Sequence, residues 1–422
     1  MLKTLMNNSK STEEIFLKEL LNLNTNNEKL NKLYKDFNTD LNQLYYQDEH
    51  IFHLCCKKDL FHSVVWLISN GINLEIENLE KETAIFYAIR TKGTVILQIL
   101  VENGANINHL NIFNRTALQE AVIRANNRIV NYLLQITRTV SNCDIYGNNL
   151  IFDAISNGNI DIIKRIASIK EININQINND GNTILHKDIV LKNNELALLL
   201  IDFGADPTIL DKEGKSFLFY CISEGIKNIS VLQKVVLLGY DINNKNGQNK
   251  TLLMESINYY LDTPKDNVEI KNSHLEMIKE LIHLGINVNA LDNNNETLLF
   301  ILVRHGNREL LHLFLETTKM NLNHQNNQHE TPLLIMALNG IKNADLIKLF
   351  LEKGANPDLK NQMGKSIIEI LVDIILYSEN KKPLEFEYEI FLNEDAEYAN
   401  VLENILRNYP VNINNSTFAH KT

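Results

Sequence analysis

Apolar residues along the chain fall into short groups with a helical period, and polar turns separate the groups. The stretch "TPLLIMALNGIKNADLIKLFLEKGANPD", residues 331–358, shows the pattern. Its apolar positions recur three and four residues apart in two segments, with a glycine-containing break between them and a glycine after the second. This spacing predicts two short amphipathic helices followed by a turn.

The same pattern returns at a nearly constant interval along the chain. The residue before each first apolar run serves as an anchor, and successive anchors are 33 to 35 residues apart, except for an interval of 46 between Thr251 and Thr297. The anchors are His50, Thr83, Thr116, Asn149, Thr183, Ser216, Thr251, Thr297, Thr331 and Ser366. A second marker, seen in "FGADPT", "LGINVN" and "KGANPD", keeps the same phase. The two markers predict repeats that stack to bury their apolar faces.

Each repeat has a physical interpretation as one turn and two helices. Thr, Ser or Asn at the anchor can accept a backbone N–H and so begin the first helix. A glycine such as Gly204 or Gly354 can take the left-handed conformation that ends the second helix. The "DxxG" segments at 144–147 and 211–214 have the composition of a tight turn between repeats.

Two pairs of motifs carry a resemblance to a known family. "TILH" at Thr183 with "GADP" at Gly204, and "TPLL" at Thr331 with "GANP" at Gly354, resemble the helix start and helix end of ankyrin repeats. The resemblance covers residues 45–410, about ten repeats. It implies an all-α ankyrin repeat solenoid of antiparallel helix pairs with short turns or β-hairpin-like fingers. It also implies binding of a partner protein, without a cofactor.

The repeat pattern divides the chain into a cap, an array and a tail. Residues 1–44 are expected to form an N-terminal helical cap, beginning with the capping-box spacing of Ser11 and Glu14. Residues 45–410 form the array, with insertions near 259–273 and 379–395, and residues 411–422 form a C-terminal tail. The first insertion is expected to project as a loop. No linker interrupts the anchors, so we expect one continuous array.

Composition narrows the classes of function. A net charge of −11 and a pI near 5.6 argue against a nucleic-acid partner. The longest apolar run is too short to span a membrane. Four cysteines without CxxC spacing suit neither a disulfide framework nor a zinc site, so we expect a reducing compartment, namely the cytoplasm or the cytosol of a host. The 62 asparagines point to an A/T-rich genome, and the protein is expected to be monomeric.

Clusters of histidine and cysteine have mainly structural interpretations. "HIFHLCC" holds Cys55 and Cys56, which are expected in the core as small apolar residues, so no metal site is predicted. His53 and His186 match the histidine that forms internal hydrogen bonds in ankyrin repeats, and the "NHQNNQH" histidines are expected in a solvated turn. No catalytic motif is present, so the chain is predicted not to be an enzyme. The alternatives are an adaptor that recruits a ubiquitin ligase through the insert at 379–395, or an enzyme with an unrecognised site.

The resemblance also indicates where a partner would bind. Ankyrin partners meet the turn tips and the exposed edge of the first helix, at positions four, three and one before each anchor and seven and eight after it. Four consecutive repeats carry apolar residues there, which we expect to form one stripe on the concave face. The candidate partner-binding residues are Leu79, Ile112, Phe113, Arg115, Ile123, Ile145, Tyr146, Val190 and Leu191. The alternative site surrounds Tyr259 and Tyr260.

Overall fold

Helices dominate the computed structural model, which describes residues 12–35, 40–187, 190, 192–338 and 344–371. The chain divides into two compact units, Met1–Asp206 and Pro207–Thr422, called unit 1 and unit 2 below. The predicted all-α fold is confirmed, since the one named sheet among the described residues is the short hairpin Tyr45–Tyr46 with Glu49–His50. Ser11, Leu191 and the insert at 379–395 lie outside the described residues.

Unit 1 begins with helices at 12–20 and Asn27–Lys35, followed by a 3-10 turn at Leu41–Gln43. The two helices lie against the first repeat: Trp66 donates its indole N–H to Asn31 at 2.8 Å, and Ser63 donates its hydroxyl to the Leu20 carbonyl at 2.6 Å. The helix pairs that follow are Ile51–Lys57 with Phe61–Ser69, Ala84–Ala88 with Val95–Glu102, Ala117–Ile123 with Asn127–Ile136, Leu150–Asn157 with Ile160–Ala167, and the 3-10 turn Ile184–His186 with Asn194–Asp202.

Unit 2 repeats the same plan. Its helix pairs are Phe217–Ser223 with Ile229–Leu237, Leu252–Asp262 with Val268–His283, Leu298–His305 with Arg308–Thr317, and Pro332–Leu338 with Ala344–Glu352, followed by helical residues 367–371. A 3-10 turn, Gly225–Asn228, precedes the second helix of the first pair. No helix among the described residues has the length and apolar content needed to cross a bilayer.

The two helices of a repeat differ in how they are buried. Every residue of Ala84–Ala88 is buried, because the first helix lies between the first helices of its neighbours, whereas Val95–Glu102 buries only the face that carries Ile96, Leu97 and Leu100. Each fully buried Ile or Leu stabilises the fold by roughly 1.5–3 kcal/mol. The glycine ends of the second helices are as predicted, with φ of +95° at Gly204 and +97° at Gly354.

Two repeats depart from the prediction. The insertion near 259–273 is not a projecting loop, because it lengthens both helices and leaves only residues 263–267 between them. "VEIKNS" therefore extends the second helix at its N-terminal end instead of forming a loop. The repeat anchored at Thr183 has the best-matched motif, yet its described first helix is only the 3-10 turn Ile184–His186, and Lys187 is extended with ψ of 136°.

Candidate functional site

The turns between repeats, called fingers below, share one construction. Five residues before the anchor, an Asn or Asp side chain accepts the backbone N–H groups two and four residues further on, and the residue two before the anchor has a positive φ. Nine fingers of the described chain follow this rule. Their first residues are Asn78, Asn111, Asp144, Asn178, Asp211, Asn246, Asp292, Asn326 and Asn361.

Backbone hydrogen bonds hold neighbouring fingers of unit 1 side by side. Ile112 N–H donates to the carbonyl of Glu80 at 2.9 Å, and Ile145 N–H donates to that of Phe113 at 3.0 Å. Asn179 N–H continues the series to the carbonyl of Tyr146 at 2.9 Å. Because these bonds join tip to tip, side chains at the tips of successive fingers lie next to each other.

Three successive fingers in unit 1 carry apolar tips. Leu79 is fully exposed, Ile112, Ile145 and Tyr146 are 44%, 48% and 49% exposed, and Phe113 is half-buried. The next tip, at residues 179 and 180, is polar. We call Leu79, Ile112, Phe113, Ile145 and Tyr146 the apolar tip surface.

The candidate residues on first helices have mixed outcomes. Ile123 is 37% exposed at the end of Ala117–Ile123, where it was expected. The prediction that Val190 is exposed for partner binding was wrong, because it is buried with only 1% of its surface exposed. Lys187 is extended, so Val190 does not continue the helical phase of Ile184–His186 on which the prediction rested. Leu191 lies outside the described residues.

Arg115 is engaged within the chain, although it was predicted to contact a partner. Its guanidinium donates to one carboxylate oxygen of Asp144 from Nη2 at 2.9 Å and from Nε at 3.2 Å, and it lies 5.7 Å from the centre of the Phe113 ring. The other oxygen of Asp144 accepts the N–H of Tyr146. Arg115 therefore connects the two aromatic tips and is better described as a positioning residue.

The charged groups behind the apolar tip surface are paired with each other. Glu82 is buried and forms an ion pair with Arg90, and Glu120 lies 3.5 Å from Arg124 and 3.7 Å from Arg115. Asp153 is also buried and accepts a hydrogen bond from Gln119. Burial raises the pKa of Asp153 to about 7, against the opposing effect of the nearby Arg115 guanidinium.

One exposed aromatic residue beside this surface was missed at the level of sequence. Tyr45 is 52% exposed in the hairpin that forms the first finger, and Tyr46 is half-buried next to it. Gln47 and Asp48 form the turn of this hairpin, both with positive φ. Tyr46 lies four residues before His50, so the same positional rule applied to the first anchor would have found Tyr46, but not Tyr45, which lies five residues before it.

The predicted core residues are confirmed. Cys55 and Cys56 are fully buried, and burial raises the pKa of the Cys55 thiol to about 12. His53 bonds the Ile76 carbonyl through Nε2 at 2.9 Å, and His186 accepts the Thr183 N–H through Nδ1 at 3.2 Å. Across the described ranges, no group of three or more His, Cys, Asp or Glu residues could hold a metal ion.

The prediction that the "NHQNNQH" histidines lie in a solvated turn was wrong in part. His324 is not a solvated loop residue, because it is half-buried and its Nε2 lies 2.7 Å from the Asn295 carbonyl of the preceding finger. His329 is exposed, as predicted, with φ of +59° at the turn. In the alternative site, Tyr260 is buried and donates to Glu309 at 2.9 Å, so of the two tyrosines only the half-buried Tyr259 is partly accessible.

Comparisons with known proteins agree with this geometry. The sequence profile described as "Ankyrin repeats (3 copies)" matches residues 52–146, 151–246 and 268–361, which is more than half of the chain. Human Rabankyrin-5 is 26% identical over 185 residues, covering 42% of this chain and 16% of that protein. An ankyrin repeat protein of Acanthamoeba polyphaga mimivirus is 26% identical over 156 residues, covering 33% of this chain and 20% of that protein. The matched region is thus a fifth or less of either relative's length.

Solved structures of ankyrin repeat domains also match. The human ASB11 ankyrin repeat domain has a TM-score of 0.41 and 18% identity, covering 54% of this chain and 96% of that one. An ankyrin repeat domain from Acinetobacter baumannii AYE has a TM-score of 0.41 and 18% identity, covering 45% of this chain and 98% of that one.

Proposed function

The chain belongs to the ankyrin repeat family, and from that premise we propose that it is a protein-binding scaffold whose unit 1 engages a partner protein through the apolar tip surface. Ankyrin repeats generally mediate protein–protein interaction. The observation that carries the proposal is the run of three hydrogen-bonded fingers with exposed apolar tips. We further propose that it acts without chemistry of its own, in the cytoplasm or in a host cytosol.

The side chains of the apolar tip surface contribute little to the folding of the isolated chain. A finger needs its Asn or Asp and its left-handed residue, whereas the tip positions between them can be polar, as at residues 179 and 180. Exposed Leu79, Ile112 and Ile145 therefore bring little to folding. Soluble proteins rarely expose a contiguous apolar patch without using it, and aromatic residues are enriched at interface hot spots.

The pairing of charges behind the tips indicates the character of the partner surface. Glu82, Glu120 and Asp144 each have an arginine partner within unit 1. With those charges matched internally, an apolar partner face fits better than a strongly charged one. Binding should accordingly change little between low and physiological salt, because screening acts mainly on exposed charges.

The test replaces the two aromatic tips together. Phe113→Ser with Tyr146→Ser should weaken binding by about 4 kcal/mol, or roughly a thousandfold, if each residue is a hot spot of about 2 kcal/mol. Affinity capture from a lysate of the source organism, with mass spectrometry, would first identify proteins retained by the wild type and lost by the double variant. Calorimetric titration with the purified partner would then give the change in affinity.

A matched control uses a polar tip of unit 2. Asn293→Ser with Asn294→Ser changes two adjacent tip residues of another finger and should leave the affinity unchanged. Both variants should melt at nearly the wild-type temperature, because none of the four side chains is fully buried. Equal affinity of the wild type and the aromatic double variant would place the interface elsewhere.

A further inference from the structure

A groove in unit 2 lies at the insertion-bearing repeat. It has a volume of about 460 Å³ and is formed by two fingers and two first helices, Phe217–Ser223 and Leu252–Asp262. Phe219, which is buried, and Tyr259 contribute the aromatic part of its wall. The other lining residues are Glu213, Lys215, Asn246, Gln248, Lys250, Glu255, Asn258 and Asp262. A volume of this size falls within the range that accommodates ligands and peptide side chains.

One wall of the groove exists because the insertion lengthens a helix. Leu252–Asp262 has 11 residues, whereas the first helices before and after it, Phe217–Ser223 and Leu298–His305, have 7 and 8. Asp262 is therefore contributed by the added residues, whereas Tyr259 corresponds to the last residue of an eight-residue first helix such as Leu298–His305. Tyr259 is held by its ring stacking against His274, with centroids 5.8 Å apart and planes at 17°.

The charges in the groove leave one carboxylate unmatched. Lys215 lies 3.2 Å from Glu213, and Lys250 lies 3.5 Å from Glu255. Asp262 is exposed, and its side chain forms no ion pair or hydrogen bond within the part of the chain that the structure describes. The groove therefore carries a net negative charge with its unpaired carboxylate at one end.

The position of Asp262 disfavours a purely structural role. It is the last residue of an α-helix, where the helix dipole makes a negative side chain unfavourable and a positive one favourable. An acidic residue that costs stability and has no partner is better accounted for by a ligand that supplies the missing positive charge.

We propose that this groove binds an extended peptide segment carrying an arginine or lysine side chain. The carboxylate of Asp262 pairs with the cationic head, and the Tyr259 ring packs along the aliphatic stem. The amide side chains of Asn258 and Gln248 are available for the peptide backbone. The site lies wholly within unit 2 and is independent of the apolar tip surface, so the chain would hold two different partner segments.

The experiment selects a ligand and then removes one charge. A phage-displayed random dodecapeptide library is selected on the full-length wild-type protein, and the leading peptide is measured by fluorescence anisotropy. We expect enrichment of Arg or Lys at one peptide position, and at least about tenfold weaker binding to Asp262→Asn. Replacing the peptide arginine with neutral, similarly shaped citrulline should weaken binding to the wild type about equally, and binding to Asp262→Asn only slightly further.

Two controls distinguish a contact made by Asp262 from a general effect of charge and from binding at unit 1. Asp266→Asn removes the same charge from the same insertion but does not line the groove, so it should bind the peptide within about twofold of the wild type. Phe113→Ser with Tyr146→Ser should bind it normally, which keeps this test distinct from that of unit 1. Failure to enrich any peptide, enrichment without a basic residue, or equal losses in Asp262→Asn and Asp266→Asn would each overturn the proposal.

Discussion

The fingers of unit 1 and unit 2 have the same backbone and different tips. In both units an Asn or Asp accepts two backbone N–H groups, as at Asp144 and Asp292. Three tips of unit 1 are apolar, whereas in the described part of unit 2 they are polar apart from Met363. The difference shows that the turn depends on its first residue and its left-handed residue, which leaves the tip positions free to carry recognition.

Asparagine has a structural role throughout this framework. Besides starting six of the nine fingers, it caps second helices, as Asn159 does by accepting the N–H groups of Asp161 and Ile162. It also links repeats, since Asn289 accepts the N–H of Asn321 at 2.7 Å. The 62 asparagines are thus more than a reflection of codon usage, because many occupy turns and caps, for which asparagine is well suited.

We expect the largest effect on stability from alanine substitution of the first finger residue, and we expect it to be larger at Asp144 of unit 1 than at Asp292 of unit 2. Asp144→Ala removes both turn hydrogen bonds and leaves the half-buried guanidinium of Arg115 without its nearest carboxylate, so we expect a loss of about 3 kcal/mol. Asp292→Ala removes the equivalent turn bonds and a longer-range interaction with Arg304, but no hydrogen-bonded ion pair, and we expect the free energy of unfolding to fall by about 1.5 kcal/mol. Urea unfolding followed by circular dichroism, with hydrogen exchange to assign the unit, would measure both.

A conservative variant divides the effect at Asp144 into its two parts. Asp144→Asn should keep the turn, because asparagine forms it at Asn111, but lose the charged pair with Arg115. We expect the free energy of unfolding to fall by about 1 kcal/mol, which is less than in the alanine variant. Equal stability of the asparagine variant and the wild type would show that Arg115 does not stabilise this finger through its charge.

Sequence periodicity predicted the fold well because each repeat depends on local rules. Helical spacing, glycine ends and turn residues act within a few positions, so a single chain reveals them. Contacts between repeats were not predictable in the same way. The pairing of Arg115 with Asp144 joins residues 29 positions apart, and it changed the role of a predicted partner-binding residue. Val190 was misplaced because phase was assumed to continue through a helix that ends at His186.

A smaller effect concerns pH and the buried carboxylate behind the tips. The pKa of Asp153 is near 3.8 when unperturbed and is raised by burial to about 7 in the fold, so the folded state holds its proton more tightly. Its contribution to the stability of unit 1 should therefore decline as pH rises from about 4 to 7. As the pH rises from 4 to 8, the free energy of unfolding of Asp153→Asn should therefore increase relative to that of the wild type by on the order of 2 kcal/mol.

Charges around Asp153 set the direction of that prediction. Arg115 favours its ionised form, while Asp144 and Glu120 oppose it, and burial is the largest influence. In the unit 2 repeat anchored at Thr297, Ile301 occupies the equivalent position, four residues after the anchor, and offers no group to titrate. Unfolding profiles recorded across this pH range should show the difference in unit 1 alone, and parallel profiles for variant and wild type would contradict it.

The smallest effect tests whether exposure alone marks the interface. Leu79 is fully exposed on the apolar tip surface, and Leu237 is 80% exposed at the end of a second helix of unit 2. Neither side chain is packed in its unit, so Leu79→Ser and Leu237→Ser should each change the free energy of unfolding by less than about 0.5 kcal/mol.

Because Leu79 lies on a tip adjoining Ile112 and Phe113, its loss should weaken partner binding by about 1 kcal/mol, while loss of Leu237 should have no effect. Calorimetric titration of both variants against the captured partner would decide. Equal affinities would limit the interface to the aromatic tips, and a loss confined to Leu237→Ser would move it to unit 2.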